Sequence, residues 1–290
     1  MTRGESYEGE DGGLYGEGRN DPTASHLAEA VRLAASIQPL STCGKPDVPG
    51  LIGLMAIGFS NTYLEFREFE RLAMQERWVA DTVRFVNGAQ QHCGSESWAS
   101  ATAPKVNPWS VVDDRLKLAG VARAQVQAAW IKLTPRRPGA LGAFPLHVEQ
   151  MTRDLREVLR RLADRFPNLK LAFLSSRAFG GYGTTALSPE PFAYESAFSV
   201  RQLIRTQMHG DANLNYDDAK GPVRSPLLLW GPYLWARGAT GRQTDNLAWT
   251  RADFDDEGTH PSAEGARKVA RLLLSFMQTD PATRPWFLPK

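Results

Sequence analysis

Short, wholly apolar runs alternate along this chain with longer segments whose apolar residues recur every three or four positions. The first run, Leu51–Gly58 (LIGLMAIG), has no polar position, the pattern of a strand covered on both faces as in a parallel sheet. It breaks at Gly58 and delivers Ser60 to the start of a helix on which Tyr63, Phe66, Phe69, Leu72 and Ala73 share a face. Further strands are predicted at Thr82–Val86, ending in Asn87-Gly88, at Val126–Leu133, stopped by Thr134-Pro135, and at Leu169–Leu174 and Pro226–Trp230. Helices are predicted over Ala24–Ile37, Pro108–Ala122, His147–Phe166, Phe192–Met208 and Pro261–Met277. The clearest is His147–Phe166, where Met151, Leu155, Val158, Leu159, Leu162 and Phe166 keep the 3.6 period up to Pro167.

Strand and helix alternate five times, which predicts an α/β fold: a three-layer α/β/α sandwich around a five-stranded, mostly parallel sheet. Residues 1–45 read as an N-terminal extension with one short helix, its Gly-, Glu- and Asp-rich beginning poorly ordered, and residues 46–290 as the α/β domain. In such sheets ligands bind beyond the carboxyl ends of the strands. Ser60, Gly88, Lys132 and the loop before His260 all fall there, on one edge.

Composition narrows the chemistry. A net charge of +2 over 290 residues leaves no footprint for nucleic acid, and no run is long enough to span a bilayer. The arginines of Arg153–Arg165 interleave with Leu and Val at helical spacing and read as a solvated face. The polar N-terminus has no apolar core of a signal peptide, so a cytoplasmic protein is the default expectation, and a secreted one if a leader is missing. Cys43 and Cys93 are the two cysteines, and whether they pair is open. No CxxC or His-rich cluster points to a metal, and Gly180–Thr185 (GGYGTT) lacks the Lys-Ser/Thr of a phosphate loop, so no cofactor is expected.

A serine at a strand-to-helix corner has its N–H among the unpaired donors of the helix start, where an oxyanion can be held. Its hydroxyl needs a base. Of five histidines, His26 and His147 stand near helix starts and read as surface residues, His209 follows a helix end and His92 lies near Gly88. His260 is the candidate base. It stands in DFDDEGTHPSAEG, with Asp255, Asp256 and Glu257 close upstream, where a carboxylate on a turn can fix the imidazole tautomer.

This ordered set resembles the SGNH (GDSL-like) hydrolase superfamily over roughly residues 51–280. The serine block matches Gly58-Phe59-Ser60-Asn61-Thr62, and the oxyanion glycine matches Gly88 in Val86-Asn87-Gly88-Ala89-Gln90. The acid-x-x-His block matches Glu257-Gly258-Thr259-His260, followed by Pro261-Ser262. The chain departs from that pattern in three ways. Phe59 replaces the usual Asp, Glu257 stands where Asp is usual, so that Asp256 is a rival acid, and the Gly-x-Asn-Asp block is missing. Lys132 falls near the place of the missing Asn, as an oxyanion donor or a structural lysine. The resemblance implies a serine ester hydrolase acting on a small acyl or carbohydrate ester through an acyl-enzyme on Ser60. Transfer of the acyl group to another alcohol is one alternative. Another is a carbohydrate-binding protein on the same scaffold, with Trp98, Trp130, Tyr182, Trp230, Trp235 and Trp249 as stacking candidates.

Overall fold

The structure is a computed structural model that describes residues 6–100 and 107–289. In chain order its elements are a small hairpin β1 (Ser6–Tyr7) and β2 (Glu10–Asp11), then α1 (Ala24–Ala35), β3 (Ile52–Gly58), α2 (Ser60–Ala73), β4 (Val83–Asn87), α3 (Ser95–Ala99) and α4 (Pro108–Leu118). They continue with β5 (Val126–Lys132), α5 (Leu146–Arg165), β6 (Leu171–Leu174), α6 (Phe192–Met208), β7 (Leu227–Trp230), α7 (Ala263–Thr279) and α8 (Arg284–Phe287).

The five long strands form one sheet in the order β4-β3-β5-β6-β7, and all four pairings are parallel, so the expected "mostly parallel" sheet is wholly so. This is the flavodoxin-like order, whose switch point lies between β3 and β5. Every residue of β3 and of β5 is buried. Their side chains divide by alternation: Leu54, Ala56, Ala128 and Trp130 pack with α1, α2, α7 and α8, whereas Met55, Ile57, Ala129 and Ile131 pack with α4, α5 and α6. That division is why both strands read as unbroken apolar runs.

Three local expectations are corrected. Residues 6–23 do not lie loose: buried Arg201 of α6 binds Glu10 and Asp11, and the buried Tyr15 hydroxyl accepts the Trp230 N–H at 3.4 Å. Ion pairs to a buried arginine and one buried tyrosine thus seat a Gly-rich segment that has few apolar residues. Nor do His26 and His147 face solvent. His26 Nε2 lies 2.8 Å from the Leu228 carbonyl, and His147 Nε2 lies 2.6 Å from buried Glu195, so each is a satisfied core group. Finally, α7 starts at Ala263 rather than at Pro261, because Ser262 caps it through the Gly265 N–H. Cys43 is exposed and Cys93 buried, and both are free. Among the described residues no helix is long and apolar enough to cross a membrane.

Candidate active site

At the carboxyl end of β3 the chain turns directly into α2. Gly58 pairs with Lys132 of β5, and a side chain there would collide with the Thr62 hydroxyl and the Lys132 carbonyl. The Thr62 hydroxyl donates to that carbonyl at 2.6 Å, locking the corner. Ser60 is the first residue of α2, so its N–H is one of the helix's orphan donors. It is 8% exposed, within reach of solvent from one side.

The other half of the site comes from the turn before α7. Ser60 Oγ lies 2.9 Å from His260 Nε2, a contact across 200 residues. Nδ1 of the same imidazole is held by Glu257 Oε1. A proton on Nδ1, donated to that carboxylate, leaves the Nε2 lone pair to accept from the serine hydroxyl. Asp255 Oδ2 stands 3.7 Å from Nδ1, beyond hydrogen-bond range. Asp256 is exposed, and its carbonyl accepts from Arg251 at 2.8 Å, so of the three acids Glu257 is the one bonded to the imidazole.

The turn is braced on both sides. Gly258 takes φ +70°, and a side chain there would collide with the Tyr182 carbonyl. Buried Asn61, next to Ser60, donates Nδ2 to the Thr259 carbonyl at 2.9 Å and ties α2 to the turn. From the other side, Thr184 donates its N–H to the Glu257 carbonyl at 2.9 Å, and the Thr185 and Thr259 hydroxyls meet at 2.9 Å. The GGYGTT loop is therefore the brace of the histidine turn. Sequence reading missed Asn61 as a site residue, although its place directly after the serine was the available signal.

Behind β4 the chain from Asn87 to Gln90 is held by its carbonyls. Arg115 Nη1 donates to those of Asn87 and Ala89, and Gln90 Nε2 to that of Gly88 at 3.2 Å. The Gly88 N–H turns back to the Val86 carbonyl at 2.9 Å, a three-residue turn, so it does not stand free at the site. Burial pushes the Glu70 carboxyl, near Arg115, up to about 7 against the pull of that guanidinium. A folded-state pKa above the unfolded one favours the fold below the ordinary carboxylate range and stops doing so as pH rises through about 7. Glu70→Gln, neutral at every pH, is expected to gain stability over wild type between about pH 5 and about pH 8. Urea midpoints at the two pH values check this.

Lys132 does not offer the site a free ammonium. Its Nζ lies 2.5 and 2.6 Å from the two oxygens of Glu65, and both residues are buried. Burial pushes Lys132 down and Glu65 up, each toward neutrality, and their mutual attraction opposes both shifts. Two oxygens at this range fit an ion pair, which is what a cation enclosed beneath α2 requires.

No protein-family model matches the chain, and no curated protein matches it. Among solved structures it is similar to the crystal structure of a "putative acylhydrolase" from Bacteroides fragilis NCTC 9343, at 10% identity and a TM-score of 0.43, over 88% of this chain and 96% of that one. The reading of the site rests on its own geometry.

Proposed function

We propose that the protein is a serine ester hydrolase of the SGNH type, acting on a small acyl or carbohydrate ester through an acyl-enzyme on Ser60. The observation that carries this reading is the 2.9 Å approach of Ser60 Oγ to an imidazole whose far nitrogen is bonded to a carboxylate. In the proposed reaction His260 takes the hydroxyl proton as Oγ attacks the ester carbonyl, then gives it to the leaving alcohol. Water attacks the acyl-enzyme with His260 again as base, releasing the acid and restoring Ser60. Glu257 keeps the imidazole in the accepting tautomer and stabilises its charged form.

The oxyanion is assigned to the Ser60 N–H at the start of α2, with the Gly88 N–H as second donor once its turn to Val86 opens. Lys132, engaged by Glu65, is assigned to positioning of the β5 end rather than to the oxyanion.

The test is a fluorophosphonate probe with mass spectrometry of the adduct. Labelling at Ser60, lost in Ser60→Ala, is the expected result, and labelling elsewhere or none would reject the nucleophile. The acids separate in a second experiment on ester hydrolysis. Glu257→Ala is expected to lower kcat by about 10³- to 10⁴-fold, Asp255→Ala by less than about tenfold and Asp256→Ala hardly at all. The reverse order would move the orienting role to another carboxylate.

A further inference from the structure

A cleft of about 670 Å³ opens where the chain leaves β6 and β7, on the same sheet edge as Ser60. It is of the size that binds small organic ligands. Its walls are aromatic: Tyr7 from the N-terminal hairpin, Phe179 from the segment after β6, Tyr194 from α6, and Tyr233 and Trp235 from the segment after β7. The rings support one another, with Tyr194 and Trp235 centroids 4.7 Å apart and Tyr7 and Tyr194 centroids 5.0 Å apart. Polar groups complete the cleft, among them exposed Arg237 and Gln243, and its lining includes no Leu, Ile, Val or Met.

The walls are set in advance. The Trp235 indole N–H donates to Glu190 at 2.8 Å, and that carboxylate also accepts from the Gly180 and Tyr194 N–H groups. Arg242 holds the Tyr233 and Trp235 carbonyls at 2.9 and 3.0 Å, and its guanidinium lies 5.2 Å from the Tyr233 ring centroid. The Tyr7 hydroxyl donates to Glu195 at 2.6 Å, so the N-terminal hairpin supplies one wall. Phe179 in turn meets Tyr182 edge-on at 5.2 Å, in the loop that braces the Glu257–His260 turn.

We infer that this cleft binds the carbohydrate part of the substrate. An acyl chain seeks aliphatic walls. A pyranose ring presents apolar C–H faces and a polar equator, which flat aromatic rings with hydrogen-bonding groups at the rim match. Of the tryptophans that sequence reading offered for stacking, Trp98, Trp130, Trp230 and Trp249 are buried in the core, and Trp235 alone lines this cleft. The inference deepens the ester hydrolase reading and rests on it only for the fate of the bound sugar, since binding is measured without turnover.

Calorimetric titration of the full-length Ser60→Ala protein with xylohexaose, cellohexaose and chitohexaose tests it. At least one sugar is expected to bind, with Kd raised about tenfold or more by Trp235→Ala or Tyr7→Ala and little changed by replacing the exposed Trp78, which is not part of the cleft lining. Circular dichroism confirms that each variant folds. Absence of binding to all three sugars, or binding indifferent to Trp235→Ala, overturns the inference, as does decanoate binding that Trp235→Ala abolishes. A protein that binds sugar but fails the fluorophosphonate test would retain this cleft and lose the hydrolase reading, so the two failures are distinct.

Discussion

Replacing Ser60 with alanine is expected to lower kcat for a short-chain aryl ester by about 10⁴- to 10⁶-fold with little change in KM. The hydroxyl is the only atom group removed, and under the proposed reading its contact with His260 Nε2 serves the attacking step rather than ground-state binding. His260→Ala is expected to cost a similar factor, since an imidazole without a hydroxyl to deprotonate and a hydroxyl without a base are equally inert. The two losses are therefore not additive: the double variant should be no more than about tenfold slower than the worse single one. What remains in all three comes from binding and from the Ser60-position N–H. Pre-steady-state assays with a chromogenic ester measure this directly, and a burst of alcohol release is expected in the wild type alone. A Ser60→Ala protein as fast as wild type would dismiss the acyl-enzyme.

The largest effect on stability is expected from Lys132→Met. The Lys132–Glu65 pair is enclosed between α2 and the end of β5, with Lys132 3% and Glu65 1% exposed. Methionine matches the lysine stem in length but takes from the carboxylate its hydrogen-bonded cation and leaves it only the attraction of buried Arg177, at a cost of about 3–5 kcal/mol. The pH dependence has a definite sign. Burial already raises the Glu65 carboxyl, and removing Lys132 takes away the first force that opposes it. A carboxyl whose folded pKa is raised favours the fold below its unfolded value, and that support goes as pH climbs through the folded one. Lys132→Met should thus be closer to wild type at about pH 5 than at about pH 8. Lys132→Met/Glu65→Leu removes the stranded carboxylate but leaves buried Arg177, which Glu65 also attracts, so it should recover only part of the loss. Urea unfolding of the four proteins at both pH values decides it, and a deficit independent of pH would mean that Glu65 is not the group left stranded.

What the sequence disclosed follows from the range of the interactions. The strands β3, β5, β6 and β7 were legible because burial on both faces removes every polar residue but a terminal lysine and Gln127. That a carboxylate lies close to His260 could be expected, because Asp255, Asp256 and Glu257 all stand within five residues of it, but which of them meets the imidazole is set by the fold of the turn. By contrast, α3 and α8 have five and four residues, too few to show a period. His26 and His147 were misjudged because their acceptors, Leu228 and Glu195, are 202 and 48 residues away. Separation along the chain likewise hides Lys132 from Glu65 and the Asn87 and Ala89 carbonyls from Arg115: a donor can be read from a sequence, its acceptor only from a fold. Phe59, where the resemblance leads one to expect an acid, is buried against the core with Met55 and Ile57, so this corner is secured by packing and by the Thr62 hydroxyl.

The hydroxyl and the imidazole stand 200 positions apart along the polypeptide, on segments that meet only when β3 lies within the finished sheet and α7 lies against α2. During synthesis Ser60 leaves the ribosome long before His260. Under the proposed reading, a chain that ends short of the histidine turn lacks the base and should not hydrolyse esters, whatever part of it has folded. On that reading, esterase activity would report only those molecules in which Ser60 and His260 have been brought together.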